Sequence, residues 1–213
     1  MNKIILSIVF TLVLSSLTQA QDIYYGAKVG GNVSHLFYSG DDTNFNDVSK
    51  MKLSTHIGGF VEIMLDDFFA IQPELLYSVK GARFIDLEDD DYKSSLVLKY
   101  ISIPVVGKYY VTKHLDIEIG PQIAYLLSAK SVIRGDAFQS NYGDEAASVD
   151  QKDMLRDFDL GITGGVGYVF DTGFYLNARY NMGVLNAYES KPEFDDVLRN
   201  GTIQFSVGYS LNY

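Results

Sequence analysis

Six ionisable residues of this chain each stand between apolar or small neighbours: Lys28, Glu62, Glu74, Lys108, Glu118 and Arg179. In an extended strand successive side chains point to opposite faces, so each of the six would lie on a polar face that backs an apolar one. If strands bring them together, three acids and three bases can form an ion path or a small-molecule site. They can also pair as a structural network, because a buried charge is costly unless it is paired.

Nucleophilic and metal chemistry have little support in the sequence. The three histidines, His35, His56 and His114, lie far apart, and the chain has no cysteine. Metal sites and nucleophilic triads need converging ligands or a Ser–His pair within hydrogen-bond reach, and no local spacing indicates either. We therefore predict no catalytic residue, no cofactor-binding residue, no metal site and no cofactor.

Two further motifs each have a structural and a functional interpretation. Gly161, Gly164, Gly165 and Gly167 look like a nucleotide-binding loop but lie in an alternating segment with no helix after it, so we expect them to make room for side chains or a bend. The acidic runs 41–42 and 86–91 offer the oxygen ligands that calcium selects, or a contact for a basic partner, but they lack the spaced form of a calcium loop. Solvated loops are the favoured interpretation.

Eight segments alternate between large apolar and polar or small residues. They run approximately over Ile23–Ser34, Ser54–Leu65, Phe68–Gly81, Leu96–Tyr110, Leu115–Ser128, Asp157–Phe170, Phe174–Val184 and Gly201–Tyr213. Strands of soluble proteins commonly have about 5–6 residues, whereas a tilted strand that crosses a membrane needs roughly 9–11. All eight segments are long enough to cross.

The connections between the segments alternate in length. Those at 66–67, 111–114 and 171–173 are tight, whereas those at 37–53, 82–95, 129–156 and 186–200 are long. Short turns on one rim and long loops on the other are typical of a bacterial outer-membrane barrel. We predict an all-β fold, an eight-stranded antiparallel up-and-down transmembrane β-barrel, with both termini in the periplasm. An interior only just wide enough for side chains favours the structural network.

A soluble barrel of the lipocalin type shows the same alternation. Two features argue against it: the polar face carries few charges, and aromatic residues end most apolar faces at the short-turn rim. This predicted periplasmic aromatic girdle comprises Tyr25, Phe69, Tyr109, Phe170, Phe174 and Tyr213.

The N-terminus has the form of an export signal. A positive start, an apolar stretch and a small-x-small site predict a secretory signal peptide over residues 1–20, which leaves the barrel domain as residues 21–213. The net charge of −10 argues against nucleic acid as a partner, because binding it depends on neutralising phosphates with Lys and Arg.

The chain resembles the PorT-like outer-membrane β-barrel family of the Bacteroidetes. The more specific pieces of the resemblance are Gln72-Pro73-Glu74-Leu75, Ile103-Pro104, Gly120-Pro121-Gln122 and Ala178-Arg179-Tyr180-Asn181. It implies an eight-stranded barrel similar to the OmpX and OmpA transmembrane domains.

From the residues and the resemblance together we predict a non-enzymatic protein of the cell envelope, with a structural or surface-interaction role carried by acidic extracellular loops. The alternatives are an accessory component of type IX secretion, which the namesake branch implies, a narrow channel or small-molecule transporter, and a lipid hydrolase. Expected partners are outer-membrane lipid and lipopolysaccharide, the barrel-assembly machinery during insertion, and an extracellular or secretion-system protein.

Overall fold

The computed structural model describes residues 22–39, 49–85, 93–134, 147–185 and 197–212. The predicted signal peptide, Tyr213 and much of the four long connections lie outside these residues. Within them, no helix has the length and apolar character needed to span a membrane.

Eight long strands and two short ones make up the fold in the described residues. They are β1 (Ile23–Ser39), β2 (Ser49–Lys50), β3 (Lys52–Met64), β4 (Phe69–Ile85), β5 (Lys93–Tyr110), β6 (Leu115–Arg134), β7 (Ala147–Asp150), β8 (Phe158–Val169), β9 (Phe174–Gly183) and β10 (Val197–Leu211). The long strands pair antiparallel in the order β1-β3-β4-β5-β6-β8-β9-β10, and β10 closes against β1. This confirms the predicted eight-stranded barrel. Closure matters in lipid because no backbone N–H or C=O can remain unpaired there.

The apolar faces point outward and the polar faces inward. Neighbouring residues on β6 illustrate the alternation, since the Ile119 side chain is 65% exposed whereas that of Glu118 is 2% exposed. The same holds on β10, where Val207 is 51% exposed and Gln204 is 3% exposed. Water would disfavour such an outer wall, whereas lipid tails favour it.

The predicted strand ends at Gly81 and Ser128 were too early. β4 continues through Gly81, whose φ of 134° glycine tolerates far better than other residues, and ends at Ile85. β6 continues to Arg134 past a bulge at which Lys99 pairs with Ser128 but Tyr100 pairs with Leu126. A bulge adds an unpaired residue and locally disrupts the ladder. The alternation of apolar and polar residues therefore breaks at the bulge, and a strand predicted from that alternation ends too early.

Short strands extend the wall further at the long-connection end. β2 pairs with β4, and β7 pairs with β6 near its end. Parts of the connections predicted as loops are thus strand. The longest strands in the described residues are β6 with 20 residues and β5 with 18, followed by β1 and β4 with 17 each.

Two apolar clusters lie inside the barrel, one towards each end. The cluster at the short-turn end contains Phe60, Ala70, Tyr110, Val169 and Tyr175. The cluster towards the long connections contains Leu98, Tyr100, Ala124, Leu126, Ala129 and Leu155. Leu155 directly follows the 3-10 helix Lys152–Met154. The charged residues lie inside the same lumen.

Candidate functional site

All six sequence-predicted lumen residues are buried inside the barrel. Lys28, Glu62, Glu74, Lys108, Glu118 and Arg179 are each between 2% and 8% exposed. They come from six strands, and the pleat directs each side chain to the axis. Three further polar-face residues, Lys80, Asp116 and Asp159, are also fully or largely buried.

Arg179 joins two carboxylates from different strands. Its Nη2 lies 2.7 Å from Glu74 Oε1 and 2.7 Å from Glu118 Oε2, and its Nε also donates to Glu118 Oε1. On its other side, Glu74 forms an ion pair with Lys28, whose Nζ lies 2.5 Å from Glu74 Oε2. A guanidinium suits this position because its donors are arranged as a fixed fork.

Lys108 is the centre of a second group. Its Nζ lies 2.7 Å from Glu62 Oε2 and 3.4 Å from Asp116 Oδ2. The Tyr110 hydroxyl lies 3.2 Å from the same Nζ and donates to Glu62 Oε1. Both oxygens of Glu62 are therefore satisfied although the side chain is buried.

Gln72 connects the two groups into one network. Its Nε2 donates to Glu74 Oε1 at 2.6 Å, and its Oε1 accepts from Lys108 Nζ at 3.3 Å. Asn177 Nδ2 donates to Glu118 Oε1 at 2.5 Å. Gln72 was absent from the predicted set because an uncharged amide on a polar face carries no signal of its own.

A neutral polar layer includes a histidine that the sequence did not pair. His56 Nδ1 lies 2.7 Å from Asn32 Oδ1, and His56 Nε2 lies 2.8 Å from Ser206 Oγ. Asn32 Nδ2 donates to the carbonyl of Val79 at 2.8 Å, which identifies Oδ1 as an acceptor. The proton of a neutral His56 therefore lies on Nδ1, and Ser206 donates to Nε2.

The order Ser206, His56, Asn32 is that of a nucleophilic triad, which recurs on unrelated folds. No local spacing in the sequence indicates this Ser–His contact, because strand pairing brings together residues that are 150 positions apart. However, His56 is 1% exposed and Ser206 5%. Asn32 Oδ1 also accepts from Gln204 at 3.0 Å, so the amide belongs to a wider polar network.

Glycines of β8 provide room for lumen side chains. A Cβ on Gly165 would meet Arg179 Cγ at 2.8 Å, and one on Gly167 would meet Asp116 Oδ2 at 2.5 Å. Two of the four glycines that resemble a nucleotide loop, Gly165 and Gly167, therefore lie against the ion network.

Five residues of the predicted girdle lie at the short-turn rim on the outer face. Tyr25, Phe69, Tyr109, Phe170 and Phe174 are each 42–54% exposed. Phe69 packs on Tyr109 with ring centroids 5.0 Å apart, and Phe174 packs on Tyr209 at the same separation. Tyr213 lies outside the described residues.

A closed cylinder with an apolar outer wall and an ion-paired interior defines a membrane β-barrel protein. More specifically, the chain belongs to the family described as outer membrane protein beta-barrel domain, whose model matches residues 19–189. No curated protein sequence matches the chain.

Solved outer-membrane barrels are similar to this chain at low identity. Neisserial surface protein A is 11% identical with a TM-score of 0.50, covering 91% of this chain and 100% of that one. Ail of Yersinia pestis, in complex with the heparin analogue sucrose octasulfate, is 12% identical with a TM-score of 0.47, covering 89% and 99%. OprG of Pseudomonas aeruginosa is 11% identical with a TM-score of 0.45, covering 92% and 98%. At 11% identity the likeness to Neisserial surface protein A shows the fold alone.

Proposed function

We propose that this protein is a non-conducting barrel of the bacterial outer membrane, with a structural or surface-interaction role that its long connections carry. The observation that carries the proposal is the Arg179–Glu74 ion pair, which joins β9 to β4 across the lumen at 2.7 Å. These strands are four positions apart around the barrel in either direction, so the pair spans its full width. Apolar clusters lie on both sides of the network.

Single-channel recording tests the absence of a conducting path. We expect the purified barrel to give no discrete conductance steps in a planar bilayer, because paired charges fill the interior. Flotation of the same preparation with liposomes checks that the protein has inserted. Stable unitary conductance from inserted protein would favour the narrow-channel alternative.

The orientation is a second part of the proposal. We infer that the signal peptide is removed, that both termini are periplasmic, and that β7 projects outward from the cell. The chain has no cysteine, so single-cysteine variants give an unambiguous readout. A membrane-impermeant maleimide added to whole cells should label Ser148→Cys and leave Asp67→Cys unlabelled, since both positions are exposed but lie at opposite ends. The reverse labelling would contradict the orientation.

Charge supports the role of the long connections. The parts of the four long connections that link the strands are strongly acidic. Fifteen of the 27 acidic residues of the chain, and a single Lys, lie in residues 40–48, 86–92, 135–146 and 186–196. Such segments favour a basic protein surface, or the cation-bridged phosphates of lipopolysaccharide, over nucleic acid. The barrel wall itself faces membrane lipid, and insertion requires the barrel-assembly machinery.

Affinity purification from native membranes identifies the partner class. We expect co-purification of a surface or secretion-system protein, or of lipopolysaccharide, with the wild-type chain. The matched control is the same chain with Glu88→Gln, Asp89→Asn, Asp90→Asn and Asp91→Asn, which keeps size and removes charge. Components of type IX secretion in the wild-type sample would support the PorT-like branch. Equal recovery by both chains would rule out this acidic run as the contact.

A further inference from the structure

A small space inside the barrel lies between the charged network and the apolar cluster at the short-turn end. Its volume is about 20 Å³, and Asp116, Tyr175, Asn177 and Ser210 are among the residues that line it. A polar cavity needs roughly 10–15 Å³ of such volume to hold one water. The space therefore accepts one water or one small ion.

Four oxygen atoms of this lining have no hydrogen-bond partner among the described residues: Asp116 Oδ1, Asn177 Oδ1, Tyr175 Oη and Ser210 Oγ. Each belongs to a residue that is at most 8% exposed. Asn177 Nδ2 is held by Glu118, so the amide oxygen is directed elsewhere. Buried polar atoms without protein partners are rare, and such atoms are commonly satisfied by a bound water or ion.

The charge around the cavity is unbalanced. Its lining contains three carboxylates, those of Glu62, Asp116 and Glu118, and a single ammonium, that of Lys108. The connected ion network adds Glu74, Lys28 and Arg179, which brings it to four acids and three bases. With these seven groups ionised, the network carries one net negative charge, and an uncompensated buried charge is strongly unfavourable.

We propose that this cavity binds one desolvated monovalent cation of sodium size. Carboxylate, amide and hydroxyl oxygens are the ligands of hard cations. A single positive charge balances the network, whereas a divalent ion would exceed it. Of the three carboxylates that line the cavity, only Asp116 has an oxygen without a partner. In the described part of the chain, no group of three or more His, Cys, Asp or Glu side chains has the arrangement of a metal centre.

Gly167 gives the site its shape. A Cβ at this position would lie 2.5 Å from Asp116 Oδ2 and 2.9 Å from Asp116 Oδ1. Because glycine has no side chain, the Asp116 carboxylate can occupy this position beside the cavity.

Refolding in the presence of different cations tests the proposal. The full mature chain is refolded into detergent micelles with sodium, potassium or choline chloride at one fixed chloride concentration, because choline is too large for the cavity. We expect the melting temperature, followed by circular dichroism, to be several degrees higher in sodium than in choline, since a ligand that binds only the folded state stabilises it. Atomic emission should find one sodium per chain after gel filtration into choline buffer.

Matched variants separate this site from a general salt effect. Asp116→Asn and Ser210→Ala should lose the sodium-dependent shift and the retained sodium. Ser34→Ala removes another buried serine hydroxyl, at the far end of the lumen where Thr202 contacts it, and should keep both. If Asp116→Asn fails to fold, Ser210→Ala and Tyr175→Phe test the site in its place, and both should lose the sodium-dependent shift and the retained sodium. Equal melting temperatures in sodium and choline without retained sodium would assign the cavity to water, and an equal shift in every variant would likewise overturn the proposal.

Discussion

Arg179 Nη2 and Glu74 Oε1 meet at 2.7 Å from diametrically opposite strands of the barrel. Both side chains are almost fully buried, at 3% and 4% exposure. The pair therefore spans the interior and fixes its width. Because Arg179 also binds Glu118, one guanidinium pairs with two carboxylates inside the closed barrel.

Arg179→Ala should therefore destabilise the barrel strongly. Removing one partner of a buried ion pair costs about 3–5 kcal/mol, because the other charge remains unpaired. Unfolding by urea in lipid vesicles measures the loss. Arg179→Ala combined with Glu118→Gln should recover part of it, since the double variant has one uncompensated carboxylate fewer. An unchanged unfolding midpoint in the single variant would show that Arg179 lies outside the network.

Val207→Arg should test the position of the membrane. Val207 faces outward on β10, where it is paired with Val29 of β1 and Leu176 of β9, and a cationic side chain in the hydrocarbon layer costs up to about 2–4 kcal/mol, most at the midplane. Val149 on β7 is exposed to a similar degree, 48% against 51%, but lies on the extension at the long-connection end. Unfolding in vesicles should show Val149→Arg close to wild type. Similar losses for both variants would mean that the bilayer also covers β7.

Gly208→Ala should be poorly tolerated. Its Cβ would lie 2.1 Å from Tyr175 Cε1, so the aromatic ring would have to move within a closed lumen. Overpacking of this kind costs about 1–3 kcal/mol. Gly59→Ala is the control, because its Cβ faces outward with no neighbour nearer than 3.4 Å. Thermal unfolding of the two variants in parallel compares them, and equal midpoints would count against a filled lumen at Gly208.

Ser206 should not react with a fluorophosphonate probe in the folded barrel. The hydroxyl is hydrogen-bonded to His56, but the side chain is only 5% exposed. In-gel fluorescence of the labelled protein, with Ser206→Ala beside it, gives the result. Labelling of the wild type that is lost in the variant would identify a serine nucleophile and restore the hydrolase alternative.

Asp171 should titrate below the ordinary range of an aspartate. The hydrogen bond and the charge of Lys113, 2.7 Å away in the short-turn rim, lower the pKa of this exposed carboxyl. A lowered folded-state pKa adds stability that is complete above the unfolded pKa of about 3.9 and is lost as pH falls through the folded value. NMR titration in micelles measures the pKa directly. Lys113→Ala should raise it, and an unaltered pKa in that variant would exclude the Lys113 contact.

The class of fold could be predicted from the sequence because apolar and polar residues alternate with a period of two along every long strand. Ile117, Ile119 and Ile123 mark the outer face of β6 without any knowledge of their neighbours. The same period identified the six inward charges. It could not reveal the ends of β4 and β6, since a bulge and a positive-φ glycine interrupt alternation without ending the strand.

Partnerships across the lumen were decided by the tertiary structure alone. Nothing near Arg179 in the chain indicates that Glu74, on the opposite strand, is its partner, and Ser206 and His56 meet only because β3 and β10 both flank β1. Closure of the cylinder sets these distances, because strand order, register and stagger together determine which inward side chains share a level. The sequence by itself therefore determined which residues face inward, and the closed barrel decided which of them touch.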